Sequence, residues 1–345
     1  MNFRTIGILC LCMMLVFACS TTEDTSEDDA KTETVIEETE HPTLSPIEQH
    51  GNLQVKGHQL LNEHGEVAQL RGMSFFWSQW QGQFYNKTIV DYLADDWQCD
   101  IIRAAMGVNH GGYIENPEVE LQKVDQLIQA AVDNGLYVII DYHAHTASED
   151  VESAVDFFSQ MAKKYGHLPN VIYEIYNEPL EDSWADVLVP YAQSVIAAIR
   201  QHDPDNLVLC GTRTWSQRVD EVAQKPLEDN NVAYVLHFYA GTHKQDLRDI
   251  GDRAIAAGTC IFVSEFGVIN ADGDGDINYA STKEWMQWLD KHQLSWCNWA
   301  VSEKEEGASI FLPGTTSNQT PTAGSLTESG LYLRNILRNR NYDQP

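Results

Sequence analysis

The sequence contains few basic residues. Its 345 residues include 22 Lys and Arg against 51 Asp and Glu, which gives a formal net charge of −29 at pH 7. A chain with this charge repels both the phosphate backbone of nucleic acids and anionic membrane surfaces. We therefore expect no nucleic-acid partner, and no membrane contact through the folded part of the chain.

The sequence also lacks an apolar run long enough to span a bilayer. The stretch from residue 6 to 18 is too short for a transmembrane helix, but it has the length of a signal-peptide core and follows Arg4. It ends in VFAC, which resembles the lipobox of bacterial lipoproteins and predicts lipidation of Cys19. Residues 1–19 are thus interpreted as a lipoprotein signal peptide, with an ordinary signal peptide cut nearby as the alternative. Either interpretation predicts export, to a lipid-anchored position in the cell envelope or on the cell surface of a bacterium, or into the medium.

Residues 20–49 have no aromatic residue and carry ten acidic residues against one Lys. Such a segment cannot bury enough apolar surface to offset the entropy lost on ordering. We predict a disordered acidic linker over residues 20–49 and one folded domain over residues 50–345. The chain is 43% hydrophobic and 10% aromatic, which is sufficient for a substantial core.

The cysteines lack the spacing of a zinc site. Four of the seven lie beyond the signal and lipidation segment, far apart and outside any motif: Cys99, Cys210, Cys260 and Cys297. The last three fall in apolar runs and are predicted to be buried free thiols, although export would also permit a disulfide. We predict neither a metal nor another cofactor.

Short apolar runs recur regularly along the chain. Eight of them follow one another about every 32 residues: VAQLRGMSFFW, DIIRAAMG, LYVIIDYHAH, VIYEIYNE, LVLCGT, VAYVLHFYA, CIFVSEFG and LSWCNWAVS. The stretches between them have helical character, for example one that stops at Gly135 and one that begins at the cap Ser183 and ends at Pro204. Strands that alternate with helices form a parallel sheet. Eight such units predict an α/β fold, a (β/α)8 TIM barrel with a single catalytic domain.

Five of these runs end in groups suited to chemistry or sugar binding, namely Arg103, His143, Asn177 with Glu178, His237 with Tyr239, and Glu265. In a β/α barrel the carboxyl ends of the strands meet at one rim, where active sites lie. Two glutamates without a metal-binding cluster indicate acid–base and nucleophilic catalysis, for which glycoside hydrolysis is the standard example. Four aromatic side chains are suited to stacking on sugar faces: Trp80, Trp215, Tyr239 and Trp299.

Several of these motifs resemble those of a known family. IYNEP, LHFYAGTH, VSEFG and NWAVSEKEEGAS resemble signatures of glycoside hydrolase family 5, and RGMSFFWSQWQGQFYN with IIRAAMG resembles its subfamily of bacterial endo-β-1,4-glucanases. The similarity extends from about residue 50 to the end. It implies a β/α barrel that cleaves internal β-1,4-glucosidic bonds by a retaining double displacement. Mannanase or xyloglucanase activity stays open, because the barrel and the catalytic pair do not set the substrate.

The resemblance also implies roles for individual residues. Glu178 matches the acid/base and Glu265 the nucleophile. Trp299 matches the aromatic platform beside the cleavage point. Five residues match those that position and tune the pair, namely Arg103, His143, Asn177, His237 and Tyr239, and four match further sugar contacts, namely Trp80, Trp215, Lys304 and Glu306.

These roles carry physical expectations. Arg103 and Tyr239 should both contact Glu265 and favour its charged form, and Asn177 should bind the sugar 2-hydroxyl. Glu178 must begin protonated, which predicts a raised pKa. The chain departs from the family pattern at Phe76, where many relatives have His, and at Gly107, where some have Tyr. Both departures should affect the non-reducing side of the cleft.

Two other classes of function remain as alternatives. His143 and His145 lie at i and i+2 and could face one metal ion, as in metal-dependent barrel hydrolases, although no Asp closes the eighth run. DGDGD at 272–276 resembles a calcium loop, but Ile277 and Lys283 stand where Gly and Glu are needed, so we predict a turn-rich loop. A non-catalytic glucan-binding barrel is the second alternative, against which both glutamates argue. We expect a monomer whose partner is a β-glucan polysaccharide.

Overall fold

The eight apolar runs form one closed barrel of parallel strands. The protein is described by a computed structural model over residues 44–343. An antiparallel hairpin of β1 (Gln54–Lys56) and β2 (Gln59–Leu61) precedes the barrel. The barrel strands are β3 (Arg71–Phe75), β4 (Ile101–Gly107), β5 (Tyr137–His143), β6 (Val171–Glu174), β7 (Val208–Cys210), β8 (Val232–Val235) continued by β9 (Phe238–Tyr239), β10 (Ile261–Gly267) and β11 (Trp296–Val301). Each strand pairs in parallel with the next and β11 closes on β3, which confirms the predicted TIM barrel.

Helices connect the strands. They are α1 (Pro46–His50), α2 (Ser78–Gln81), α3 (Lys87–Asp95), α4 (Pro117–Asp133), α5 (Val151–Tyr165), α6 (Val189–Arg200), α7 (Arg213–Ser216), α8 (Gln245–Ala256), α9 (Tyr279–His292) and α10 (Glu328–Asn339). Short 3₁₀ helices cover Gly82–Phe84, Ala147–Glu149, Val219–Gln224 and Ala323–Ser325, and a π turn covers Trp184–Leu188. Both helices predicted from the sequence are present: Gly135 follows α4 at φ +64° and Ser183 caps the turn before α6.

Alternation along each strand divides the core into two parts. On β5, Val138 and Ile140 pack among the surrounding helices, whereas Tyr137 and Ile139 belong to a separate cluster inside the barrel. Leu53 and Leu60, from the segment that carries the hairpin, belong to that inner cluster. The hairpin therefore closes the amino-terminal end of the barrel, and the opposite end stays open for a site.

Residues 44–49 belong to the described fold. Ser45 and Glu48 form a capping box on α1, and the Ile47 N–H donates to the Gly135 carbonyl at 3.0 Å. The prediction of a linker up to residue 49 is therefore wrong for residues 44–49, since local capping and a contact with the barrel order them. The signal peptide, Cys19 and the rest of the predicted linker lie outside the described residues.

The four cysteines between residues 44 and 343 are buried free thiols, as predicted for Cys210, Cys260 and Cys297. Within the same range, none of the helices has both the length and the apolar character needed to cross a membrane.

Candidate active site

A buried arginine organises the open end of the barrel. The fully buried guanidinium of Arg103 donates to Glu174 at 2.7 and 3.2 Å and to Glu265 at 2.9 Å, and lies 3.0 Å from Asp141. It also donates to the Asn177 side-chain carbonyl at 2.7 Å. Three carboxyl groups thus share one cation. Burial raises the pKa of Asp141 to about 7 and also raises the pKa of Glu174, while Arg103 opposes both shifts.

Glu265 lies on β10 with both carboxylate oxygens held. One accepts from Arg103 at 2.9 Å and the other from the Tyr239 hydroxyl at 2.7 Å, and the residue is only 4% exposed. Burial and the Glu265 carboxylate raise the pKa of Tyr239, so the phenol remains a donor. These are the two contacts that the resemblance implied, and they fix the carboxylate in one orientation.

Glu178 follows β6 and immediately precedes Pro179, which favours an extended backbone at Glu178. Its N–H donates to the Ala144 carbonyl at 3.2 Å, across to the loop after β5. One carboxylate oxygen lies 2.9 Å from Nδ1 of His237, and the other lies 3.2 Å from Nε2 of His145. The carboxylate is thus bracketed by two imidazoles.

The prediction of a raised pKa for Glu178 is wrong for this arrangement. Burial alone would raise it, but the hydrogen bonds with His145 and His237 outweigh burial and hold the pKa of Glu178 below its ordinary value. The Glu178 hydrogen bond raises the pKa of His145, and the pKa of His237 is also raised despite its burial. The two histidines therefore compete with Glu178 for protons.

A hydrogen-bond chain connects His237 to the arginine cluster. Nε2 of His237 lies 3.0 Å from the Ser264 hydroxyl, which donates to Glu174 at 2.7 Å. Since the hydroxyl proton is directed at Glu174, the Ser264 oxygen accepts from His237, and we assign a proton to Nε2. Nδ1 then either accepts from a protonated Glu178 or donates to an ionised one, and the two states differ by one proton shift.

Three buried polar residues of the site were not predicted from the sequence: Asp141, Glu174 and Ser264. Each lies two residues beyond an apolar side chain that faces into the barrel: Ile139, Ile172 and Phe262 respectively. A polar residue at the inward position of an apolar strand was the available signal.

Trp299 and Phe76 form one wall of the cleft. The Trp299 ring stacks on His143 with centroids 5.1 Å apart and an interplanar angle of 6°, and Phe76 lies 5.0 Å from Trp299. Phe76 also contacts the half-exposed Trp80, and Nζ of Lys304 lies 5.6 Å above its ring. Lys304 forms an ion pair with Glu306. Most residues predicted to bind sugar are thus connected to one another on this side.

Gly107 is the second position at which the chain departs from the family pattern. Its small size is explained by a neighbouring side chain on this same side of the cleft. A Cβ at Gly107 would lie 1.7 Å from Oε1 of Gln79, so the Gln79 side chain occupies the space that a larger residue would need. Gln79 belongs to the short α2 segment beside Trp80.

Trp215 lies on the opposite wall. A cavity of about 490 Å³ is lined by Glu178, Trp215, Gln217, Tyr239 and His243, among others. Thr214, Trp215 and Ser216 all have positive φ, between 52° and 58°. The N–H of Trp215 donates to the Pro179 carbonyl at 3.0 Å, so this turn is held against the segment that carries Glu178.

The structure does not favour a metal centre. Between residues 44 and 343, one group of His, Cys, Asp or Glu atoms is close enough to hold an ion: Glu178, His237 and Glu265, with ligand atoms within 4.8 Å of one another. The Arg103 cation already occupies one side of Glu265 and would repel a metal ion. His143 instead lies 2.6 Å from Asp141, while His145 contacts Glu178, so the two imidazoles do not converge on one point. In the loop 272–276, Asp272 and Asp274 accept backbone hydrogen bonds, as expected for a turn-rich loop.

A parallel barrel that brings two glutamates together at the carboxyl ends of its strands is the architecture of barrel glycosidases. The model of the cellulase family, glycosyl hydrolase family 5, matches residues 61–305, and the chain belongs to this family.

Individual relatives agree with this assignment. The chain is 44% identical over 283 residues to endoglucanase Z of Dickeya dadantii, which covers 81% of this chain and 65% of that protein. A solved structure from Cytophaga hutchinsonii is 46% identical with a TM-score of 0.85, covering 86% of this chain and 97% of that one. A variant of the catalytic domain of Thermobifida fusca endoglucanase Cel5A, in complex with cellotetraose, is 34% identical with a TM-score of 0.83, covering 86% of this chain and 100% of that one. The chain spans 65%, 57% and 66% of the length of three curated relatives that it matches.

Proposed function

We propose that this protein is an endo-β-1,4-glucanase that hydrolyses internal bonds of cellulose and related β-glucans with retention of configuration. One oxygen of Glu178 and one of Glu265 lie within 4.8 Å of each other. Carboxyl groups about 5–5.5 Å apart favour direct attack on the sugar, whereas inverting pairs need roughly 6.5–9.5 Å to admit a water molecule. The endoglucanase relatives and the cellotetraose complex of Cel5A support β-1,4-glucan as the substrate.

In the first step, Glu265 attacks the anomeric carbon while Glu178 gives its proton to the departing glycosidic oxygen. Arg103 and Tyr239 hold the attacking carboxylate in place. Nδ2 of the fully buried Asn177 has no hydrogen-bond partner within residues 44–343, so it is available to the 2-hydroxyl of the sugar. That contact strengthens as positive charge develops on the ring.

In the second step, Glu178 removes a proton from water, which attacks the glycosyl–Glu265 ester and releases the sugar. Glu178 regains its proton, and Glu265 leaves as a carboxylate. The same group therefore acts as acid and then as base. The two neighbouring imidazoles do not prevent this, because a carboxylate beside an imidazolium is one proton shift from a carboxylic acid beside an imidazole.

The two walls of the cleft bind the sugars on opposite sides of the cleaved bond. The leaving group must lie beside the acid that protonates it, and therefore in the cavity between Glu178 and Trp215. The sugar being transferred, and those on its non-reducing side, then lie along Trp299, Phe76 and Trp80.

A substrate panel tests this proposal. Reducing-sugar release should be fastest on carboxymethyl cellulose, compared with mannan, xylan and xyloglucan, and the viscosity of the polymer should fall early. Proton NMR of the first products should show the β-anomer. Preferential cleavage of mannan or xyloglucan would overturn the glucan assignment, and an α-anomer as first product would overturn retention.

We also propose that the protein is exported and held at a membrane by a lipid on Cys19, with the catalytic domain itself a monomer. The support is the signal-like apolar stretch that ends in VFAC. Expression of Cys19→Ser in a bacterial host should move the protein from the membrane fraction to the soluble fraction. Continued membrane attachment of the variant would contradict lipidation.

A further inference from the structure

Glu178 has a second imidazole partner to which the family resemblance assigns no role. His237 belongs to the LHFYAGTH signature, and its side chain is 2% exposed. His145 comes from the loop after β5, and its side chain is 40% exposed toward the cleft. Its Nε2 lies 3.2 Å from the Glu178 oxygen that His237 does not contact.

The contact between His145 and Glu178 is held by the backbone on both sides. The Tyr176 hydroxyl donates to the His145 carbonyl at 3.0 Å, and the Glu178 N–H donates to the Ala144 carbonyl at 3.2 Å. The loop after β5 and the segment after β6 are therefore tied together at two neighbouring peptides. The edge of the Trp77 ring packs against the imidazole, with centroids 5.8 Å apart and an interplanar angle of 84°. These contacts fix the backbone on both sides of the pair and place Trp77 against the imidazole.

We propose that His145 is a positioning residue that holds a proton beside Glu178 and extends the acid form of this unit to higher pH. The inference rests on the proposed function, in which Glu178 is the acid/base. His145 and His237 hold one carboxylate oxygen each, so the carboxyl group cannot rotate away from the bond that it protonates. Because His145 is open to solvent, it also exchanges protons with water while the fully buried His237 cannot do so directly.

The surrounding charges favour a protonated His145. Glu178, Glu265 and Asp141 lie near it and raise its pKa, and burial opposes them only in part. Burial and the Arg103 charge hold the pKa of the neighbouring His143 well below its ordinary value, so that imidazole is neutral. His237 and His243 line the site beside Glu178 from the strand and loop of the β8–β9 side. Glu178, His145 and His237 consequently titrate as one unit with shared macroscopic pKa values.

The direction of the pH effect follows from this sharing. The active unit contains one proton more than its fully deprotonated form, and that proton can reside on Glu178, His145 or His237. Removing His145 removes one of these positions, so the unit loses its last proton at lower pH. The basic limb of kcat/KM should therefore move to lower pH.

Two substitutions separate positioning from proton holding. In His145→Gln, the amide can still donate to Glu178 but cannot titrate, so the maximal rate should be retained while the basic limb moves down by roughly one pH unit. In His145→Ala, the same shift should be joined by a loss on the order of tenfold at the optimum, since the carboxyl group is released. His58→Gln, at the exposed turn of the β1–β2 hairpin, is the matched control and should match the wild type.

The measurement is kcat/KM against pH with two cellobiosides, one with a poor leaving group and one with a dinitrophenyl group. The second departs without protonation, so its profile should be the same in all variants. An unchanged basic limb with the poor leaving group would overturn the proposal, as would an equal loss at every pH with both substrates. Wild-type hydrolysis of glucan is measured separately, so failure of the proposed function would be recognised independently.

Discussion

The two ends of the barrel interior are built from the same strands but from opposite kinds of residue. Toward the amino end the inward side chains are apolar, and two residues further along the same strands they are polar or charged: Ile101 and Arg103, Ile139 and Asp141, Ile172 and Glu174, Phe262 and Ser264. Since side chains alternate along a strand, both layers face the same way. The apolar layer and the charged layer are thus only two residues apart along each strand, a distance of about 7 Å.

The charged layer is costly for stability. Buried ion pairs are often no more stable than apolar replacements of similar size, because desolvation offsets their attraction. Arg103 nevertheless binds three carboxyl groups at once, and one of these is Glu265. This layer is therefore best explained by what it positions, whereas the apolar layer, the hairpin below it and the larger core between the barrel and its helices stabilise the fold.

The largest expected effect comes from the two glutamates themselves. Glu178→Ala should keep much of its glycosylation rate on aryl cellobiosides with very acidic leaving groups, because these leave without protonation. Deglycosylation then limits turnover, and a burst of aryl alcohol should appear. Glu265→Ala has no nucleophile and should show no burst. On glucan, both variants should lose several orders of magnitude in rate.

Stopped-flow absorbance of the released aryl alcohol distinguishes the two roles. A burst from Glu265→Ala together with none from Glu178→Ala would reverse the assignment. Wild-type-like activity on glucan from either variant would remove that residue from the mechanism.

The second-largest loss of activity is expected for Arg103→Lys. Lysine keeps the charge but cannot reproduce the forked contacts with Glu174, Glu265 and Asn177. We expect kcat on an activated aryl cellobioside to fall on the order of 10²-fold or more, since the nucleophile loses one of its two donors. Thermal unfolding should show a loss of a few kcal/mol, because partly unpaired carboxyl groups remain buried. Unchanged kcat would indicate that the charged layer does not position Glu265.

The barrel and much of the site could be predicted from the sequence, and the predictions that failed have physical causes. The barrel was predictable because its strands are continuous apolar runs at a regular spacing, and Arg103, Glu178 and Glu265 stand near the ends of those runs. Glu174 was missed because its inward position in an apolar run shows only that the carboxylate needs a partner, and that partner, Arg103, is 71 residues away in sequence. The pKa of Glu178 was predicted in the wrong direction because its second imidazole, His145, comes from a different loop.

Substitutions in the apolar layer should lower the stability of the fold without changing kcat. Ile139→Ala creates a cavity in a fully buried site and should lower the free energy of unfolding by about 2–5 kcal/mol. Its kcat, measured well below the unfolding midpoint, should equal that of the wild type. Ile140→Ala, on the outer face of the same strand, is the matched control and should behave similarly. A lower kcat in Ile139→Ala alone would mean that the two inner layers are mechanically coupled.

The smallest effects should come from the amino terminus, at the end of the barrel remote from the site. Deletion of residues 1–43 removes none of the described residues, and we expect it to change neither the melting temperature nor kcat. Deletion through His50 also removes α1, with the Ile47 bond to Gly135 and the bond that the His50 carbonyl accepts from Glu63. At about 1 kcal/mol for each such bond, the longer deletion should cost roughly 2 kcal/mol of stability and leave kcat unchanged.

Differential scanning calorimetry and hydrolysis of soluble glucan measure both quantities. Equal melting temperatures for the two deletions would show that α1 contributes nothing to the fold, and a fall in kcat would show that the amino-terminal end influences the site across the barrel.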